Sequence, residues 1–394
     1  MMEWDFNKIT DRHDTGAVKI DLAVARGKPA DVLSLWVADM DFPTSPVILE
    51  ALHKRIDHGI FGYSCLDDAF HKALSNWLKN EHDFTYERHD MVSTPGVVFA
   101  IATAIKAYTA EGESVLIQTP VYYPFKNMIE ANKRRLVTSP LFEKDGKWQI
   151  DFEDFEKKIR EDDVKLFIQC SPHNPVSRVW TKGELERIAE ICLKYNVIVF
   201  ADEIHNDFVY EPNVHTVFSS LSPEVAQNSI VSMSPSKTFN LAGLQFSTNF
   251  IENPALRAKF KIERDKTGYD EPSLMGMVAA RAAYEGGKPW LEALKRHLLE
   301  NIAFVRSYLK EKIPQARLIE PEGTFLLWID FSELGISDGE LDDLIVNRAK
   351  VWLDRGTMFG PEGKCYQRIN IATPQALLKE AIDRISRALQ ADGK

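Results

Sequence analysis

Long apolar runs are missing from this 394-residue chain. No window comes near the ~18 consecutive apolar residues that a membrane-spanning helix needs. An excess of basic charge is missing too. The 48 Lys and Arg stand against 58 Asp and Glu, a net charge of −10, so there is no chain-wide positive footprint for nucleic acid. Cysteine is scarce: Cys65, Cys170, Cys192 and Cys365 lie far apart and form no CxxC. That spacing argues against a disulfide frame or a zinc site and predicts four buried, reduced thiols in a cytoplasmic protein. HExxH, other metal-ligand spacings and GxGxxG are absent, so no metal site is expected. Gly360-Pro361-Glu362-Gly363-Lys364-Cys365 has a P-loop flavour but neither the spacing nor the Ser/Thr. The first residues, Met1-Met2-Glu3-Trp4-Asp5, carry acids and no apolar h-region, so no signal peptide is expected. Internal repeats and low-complexity tracts are also lacking.

What is present is an ordinary globular composition, 44% hydrophobic and 27% charged, in a chain long enough for two or three domains at ~150 residues each. Residues 1–46 read as an irregular segment punctuated by Pro29, Pro43 and Pro46. Helical periodicity follows at 48–56 and 67–79. Four short β-rich runs come next: Ser114–Ile117, Lys165–Ile168, Asn196–Ala201 and Ser229–Met233. Helical patterns fill several connections, one opened by the capping box Thr181-Lys182-Gly183-Glu184. This alternation predicts an α/β domain with a mostly parallel sheet between helices, over residues 47–287. After Gly286-Gly287-Lys288-Pro289 a long helix pattern runs to about 312. Strand-like 325–329 and 367–371 and a closing helix over 377–389 predict a smaller α+β domain, 288–394, onto which segment 1–46 packs.

Ligands of open α/β sheets bind outside the carboxyl ends of the strands. The residues that follow the four runs are therefore the candidates. They are Tyr122 and Tyr123, then His173-Asn174-Pro175, then Asp202 with His205, then Ser234-Pro235-Ser236-Lys237. If the strands are neighbours, an aromatic ring, an amide, a carboxylate, an imidazole and an amine converge on one crevice. That set suits pyridoxal 5′-phosphate. The amine forms a Schiff base, the carboxylate keeps the pyridine nitrogen protonated, and either tyrosine offers a stacking face. Backbone N–H groups at a helix start suit the phosphate, and Thr94-Pro95-Gly96-Val97-Val98 opens such a helix.

The string Ser234-Pro-Ser-Lys-Thr-Phe-Asn-Leu-Ala-Gly-Leu244 resembles the Schiff-base lysine motif of fold-type I, class I/II aminotransferases. Leu35-Trp36-Val37-Ala38-Asp39-Met40-Asp41-Phe42 and Asp202-Glu203-Ile204-His205 resemble the MalY/PatB-type branch of cystathionine β-lyases. The resemblance implies a role for each matched residue. Lys237 carries the cofactor and is the acid/base, Asp202 holds the pyridine nitrogen, and Tyr122 stacks on the ring. Asn174 and His205 lie near the phenolic oxygen. Gly96, Val97, Val98, Ser234 and Ser236 hold the phosphate. Arg368 clamps the substrate carboxylate, with Asn174 and Ala38 beside the substrate. Tyr63 reaches the partner subunit's phosphate, which implies a homodimer with shared sites. Gln245 departs from the family, which often has Arg or Lys there. The implied activity is a C–S β-lyase that cleaves L-cystathionine or related S-substituted cysteines to a thiol, pyruvate and ammonia. An aminotransferase is the alternative, since the same fold hosts both. A regulatory protein-binding role is a third reading, with no motif to support it.

Overall fold

The computed structural model describes residues 4–391. Met1–Glu3, part of the N-terminal reading above, and Asp392–Lys394 lie outside the described residues. The central feature is a seven-stranded sheet. Its spatial order is Met91–Thr94, Ser247–Phe250, Ser229–Met233, Ile198–Asp202, Val164–Cys170, Ser114–Ile117 and Arg135–Thr138. The last five are mutually parallel, while Ser247–Phe250 runs antiparallel to both of its neighbours. The four apolar runs of the sequence are thus four adjacent central strands. Their residues alternate between two apolar layers, as the pleat requires. Ile117, Ile168, Phe200 and Ile230 join Ile101 and Ala104 of helix Val97–Tyr108 in one layer. Leu116, Phe167, Val199 and Val231 join Leu185 and Ile188 of helix Lys182–Lys194 in the other. Both faces are buried, which explains why these strands read as continuous apolar runs.

Helix Lys182–Lys194 begins where the capping box places it. Thr181 Oγ1 accepts the Glu184 N–H at 3.3 Å, and Glu184 Oε2 accepts the Thr181 N–H at 2.8 Å. The reciprocal pair satisfies two donors that every helix start leaves open.

Three strands of the large sheet escaped the sequence pattern. Ser247-Thr248-Asn249-Phe250 is the clearest case, because all four residues are buried although three are polar. A hydrogen-bond network replaces apolar packing there. Asn249 Nδ2 donates to Val92 O at 2.8 Å, and Asn249 Oδ1 accepts the Ser232 hydroxyl at 2.8 Å. A second, antiparallel sheet has the order Arg317–Leu318, Leu326–Asp330, Tyr366–Asn370, Asp354–Arg355. Helices Lys288–Lys312 and Gln375–Ala391 pack together beside it. The N-terminal segment attaches here: Leu33–Ser34 pairs in parallel with Val351–Trp352, and Trp36 stacks on Trp352 at 4.3 Å.

The cysteines are not all buried as expected. Cys170, Cys192 and Cys365 are buried free thiols, but Cys65 is exposed. It lies in the irregular connection between helices Pro46–His58 and Asp68–His82, whose neighbours Phe61 and Tyr63 are also exposed. Among the described residues, no helix is long and apolar enough to cross a membrane.

Candidate active site

The carboxyl ends of the central strands surround a cavity of about 420 Å³. Register brings the ends level: Cys170 pairs with Asp202, and Asp202 with Ser232. The chain turns out of each strand at this level and delivers polar side chains to one place. Lys237, Asp202, His205, Asn174, Tyr122, Ser234 and Ser236 all line the cavity. So do Gly96, Val97 and Val98, at the start of helix Val97–Tyr108, and Ala38 from the N-terminal segment. Arg368 stands one contact away, on Asn174. Tyr63 is 98% exposed and does not line the cavity.

Lys237 rides on the short turn Pro235–Thr238, and its Nζ donates to Ala38 O at 2.7 Å. Burial weakens its hold on a proton, and Arg368 repels the added charge. Asp39 and Asp202 act against both, and the amine titrates at about 8 rather than 10.5. Asp202 shows the mirror case. Burial raises its carboxyl to about 7 from 3.8, although the Ile204 N–H at 3.1 Å and the charge of Lys237 pull the other way. His205 is buried and held neutral, chiefly by desolvation and then by the charges of Lys237 and Arg368. Its Nδ1 has no partner among the described residues. Burial also drives the Tyr122 hydroxyl above its usual range. His173 is fully buried and is pushed down to about 3, first by burial and then by Arg178. Its ring meets Trp180 edge-on at 5.5 Å, and it does not line the cavity.

Arg368 is 3% exposed, in the middle of strand Tyr366–Asn370. Antiparallel register sets it opposite Asp354, with which it forms a buried ion pair. Nη1 donates to Asn174 Oδ1 at 2.9 Å and Nη2 to Trp36 O at 2.8 Å. Phe359 lies under the guanidinium at 4.9 Å. Nε has no partner among the described residues. A charge this buried is tolerated only when paired and hydrogen-bonded, and Asp354 supplies the pairing. Asp354 gave no signal in the sequence, because its role depends on strand register.

The loop over residues 36–42 is pinned by its own carbonyls. Arg368 takes that of Trp36, Lys237 that of Ala38, and Asn370 Nδ2 those of Val37 and Asp39. Asn240 Nδ2 takes those of Met40 and Phe42, each at 3.0 Å. From the outer side Arg12 grips Asp39 at 2.6 Å and Asp41 at 2.8 Å, while the fully buried Lys19 grips Asp41 at 2.7 Å. Cys170 and Phe99 also line the cavity and were missed. Cys170 ends its strand, so the strand-end rule would have found it.

At the helix-start end, Gly96 caps helix Val97–Tyr108 with no side-chain cap bond, so the first N–H groups stay open. A Cβ on Gly96 would meet no atom within 4 Å, so open space surrounds that position. Ser234 Oγ is already engaged: it donates to Phe246 O at 2.6 Å and lies 2.8 Å from Ser236 Oγ. The Ser236 hydroxyl is the more available donor. Gln245 lines the same cavity, and among the described residues Lys237 is the only cationic side chain in its wall. The geometry can hold an anion at one end, a planar ring between Tyr122 and the strand ends, and a carboxylate near Arg368.

A model of the family "aminotransferase class I and II" matches residues 30–385. The chain is 40% identical over 385 residues to the cystathionine β-lyase PatB of Bacillus subtilis, covering 98% of this chain and 100% of that one. It is 32% identical over 390 residues to the protein MalY of Escherichia coli, covering 98% and 99%. The crystal structure of cystalysin from Treponema denticola, which contains pyridoxal 5′-phosphate, superposes with a TM-score of 0.96 at 34% identity, over the whole of both chains. Sequence, fold and the position of the strand-end residues therefore agree: the chain belongs to the class I and II aminotransferase family, with the fold-type I architecture.

Proposed function

We propose that this protein is a pyridoxal 5′-phosphate-dependent C–S β-lyase acting on L-cystathionine or related S-substituted cysteines. The observation that carries the cofactor assignment is the pairing of two unusual buried groups. Asp202 is a carboxyl displaced to about 7 with no cationic hydrogen-bond partner of its own, and Lys237 is an amine displaced to about 8. Asp202 would hold a protonated pyridine nitrogen, and the Lys237 amine would take up the cofactor's aldehyde. His205 Nδ1, unpartnered and buried, and the open helix start at Gly96 fit the ring oxygen and the phosphate. The 40% identity to a cystathionine β-lyase supports the reaction class.

When bound, pyridoxal 5′-phosphate supplies an aldehyde that takes up amines and a ring that accepts the electron pair left by a departing α-proton. The chain's own residues do the rest. Lys237 Nζ, in its unprotonated form, takes the proton from the substrate Cα, and a pKa lowered toward the working pH suits that task. Ala38 O gives the ammonium a place to rest. Asp202 stays ionised against the ring and stabilises charge as it develops. Arg368, fixed by Asp354, Trp36 O and Asn174, orients the substrate carboxylate. Tyr122 supports the ring face, Asn174 and His205 the phenolic oxygen, and Val97, Val98 and Ser236 the phosphate. Gln245 brings no charge, so the phosphate leans on backbone N–H groups and hydroxyls.

We also propose a cytoplasmic homodimer with shared sites. Ile60, Phe61 and Tyr63 are 64%, 60% and 98% exposed in the single chain, and such an apolar stretch favours a partner. We read 47–287 as the cofactor-holding domain and 288–394 as the smaller one, with 1–46 packed on it. The separate sheets support this division.

Three measurements test these readings. Purified, cofactor-loaded protein given L-cystathionine without any keto acid should release pyruvate, and borohydride should fix the cofactor on Lys237. Turnover that requires a keto acid would favour the aminotransferase reading, and a label elsewhere would remove the cofactor assignment.

Asp202→Asn separates stability from function. In the cofactor-free protein the folded carboxyl titrates near 7 against 3.8 unfolded. The folded state therefore binds the extra proton between those values and loses stability as pH rises through them. The cofactor-free variant should melt higher than its parent at alkaline pH, with the gap closing toward about pH 4. The loaded variant should lose ~3 kcal/mol of transition-state stabilisation, about a hundredfold in turnover. A pH-independent gap or normal turnover would contradict the role.

Mixing Lys237→Ala and Tyr63→Phe chains should give heterodimers more active than either parent. Activity at the parental average would place Tyr63 in its own subunit's business alone.

A further inference from the structure

Beside the cavity lies a buried polar layer that the proposed chemistry leaves unused. It is built from the residues that follow the two central ones. Glu203 follows Asp202 and Thr238 follows Lys237, and both are 0% exposed. Glu203 accepts the Phe218 N–H at 2.8 Å and pairs with His215 Nε2 at 2.8 Å. Asp207 leaves the same turn that carries His205. One of its oxygens accepts the Thr238 hydroxyl, and the other pairs with His82 Nε2 at 2.9 Å. His82 is the last residue of helix Asp68–His82, and its ring meets that of His215 edge-on at 5.9 Å. Among the described residues, no group of three or more His, Cys, Asp or Glu side chains is placed to hold a metal ion.

The layer has a mechanical consequence. Lys237 sits in a four-residue helical turn, Pro235–Thr238, closed by few backbone bonds: Phe239 N–H to Pro235 O and Leu241 N–H to Ser236 O, each at 2.9 Å. The Thr238–Asp207 bond crosses from that turn to the turn that follows Asp202. It braces the element that carries the amine against the one that carries the carboxylate and the imidazole. Burial pushes the Asp207 carboxyl up, but the hydrogen bonds of His82 and Thr238 and the charge of Lys295 outweigh it, so the acceptor stays ionised and its bonds charge-assisted.

We infer that Asp207 is a positioning residue for Lys237: through Thr238 it sets where the amine stands relative to Asp202 and His205, and His82 holds Asp207 in place to do so. The inference rests on the reading of Lys237 as the cofactor-holding amine.

Thr238→Val keeps the side-chain shape and removes the donor, whereas Thr238→Ser keeps the donor. In loaded enzyme, Thr238→Val should lower kcat roughly ten- to hundredfold, as displacement of a reacting group by a fraction of an ångström to an ångström does. KM should stay within about twofold, because the Arg368 clamp is untouched. The visible circular dichroism of the bound cofactor should change with the lysine's pose. Thr238→Ser should restore both readouts, and Asp207→Ala, which removes the acceptor, should behave as Thr238→Val does. Wild-type kcat and dichroism in Thr238→Val would overturn the inference, whatever happens to its melting temperature. If that variant does not fold, Asp207→Ala decides by the same readouts. Absence of a borohydride label on Lys237 in the wild type would instead overturn the reading of the lysine itself.

Discussion

Burying a carboxylate and an amine at the ends of neighbouring strands is the constraint on which the rest of this structure depends. Water is withdrawn from both groups, so each loses affinity for its charged form. Asp202 rises to about 7 and Lys237 falls to about 8. Near neutral pH Asp202 is close to half-titration, and Lys237 keeps a fraction of free amine that an exposed lysine lacks. Displaced pairs of this kind concentrate at functional sites. The parallel sheet explains why they meet. Strands run in the same direction, so their carboxyl ends share one edge, and short turns bring Asp202, His205 and Lys237 to the same crevice.

The surrounding structure works to keep that crevice fixed. Loop 36–42 offers its carbonyls to Arg368, Asn370, Lys237 and Asn240. The site wall is therefore bonded to the small sheet, to the lysine turn and, through Arg12 and Lys19, to the N-terminal segment. Arg368 would be a severe cost on its own, since it is buried. Its ion pair with Asp354 makes it tolerable while aligning it toward Asn174. Interactions of this type hold groups in a defined place more than they add to stability.

Much of the fold and most of the site were legible in the sequence, for a physical reason. The four central strands are buried on both faces and so read as apolar runs, and the residues just after them are the ones the sheet delivers to the cavity. Legibility failed where the stabilising contacts are not local. Ser247–Phe250 is a buried strand that looks like a loop, because Asn249 and its hydrogen-bond partners stand in for apolar packing. Asp354 matters only through its register with Arg368, and Asp207 only through a bond to a turn 31 residues away. Cys65 was expected inside and lies outside, since thiol scarcity says nothing about one loop. The resemblance of Ser234–Leu244 to the family's lysine motif suggested residue roles that periodicity alone did not.

On the reading proposed for the site, Lys237 moves the α-proton of a bound amino acid. Loaded enzyme given L-alanine, which has no β-leaving group, in deuterium oxide tests it directly, with loss of the α-proton signal followed by NMR. Exchange is expected in the wild type, with its loss by orders of magnitude in Lys237→Ala and partial recovery on adding a small primary amine. Exchange at the wild-type rate in Lys237→Ala would contradict it.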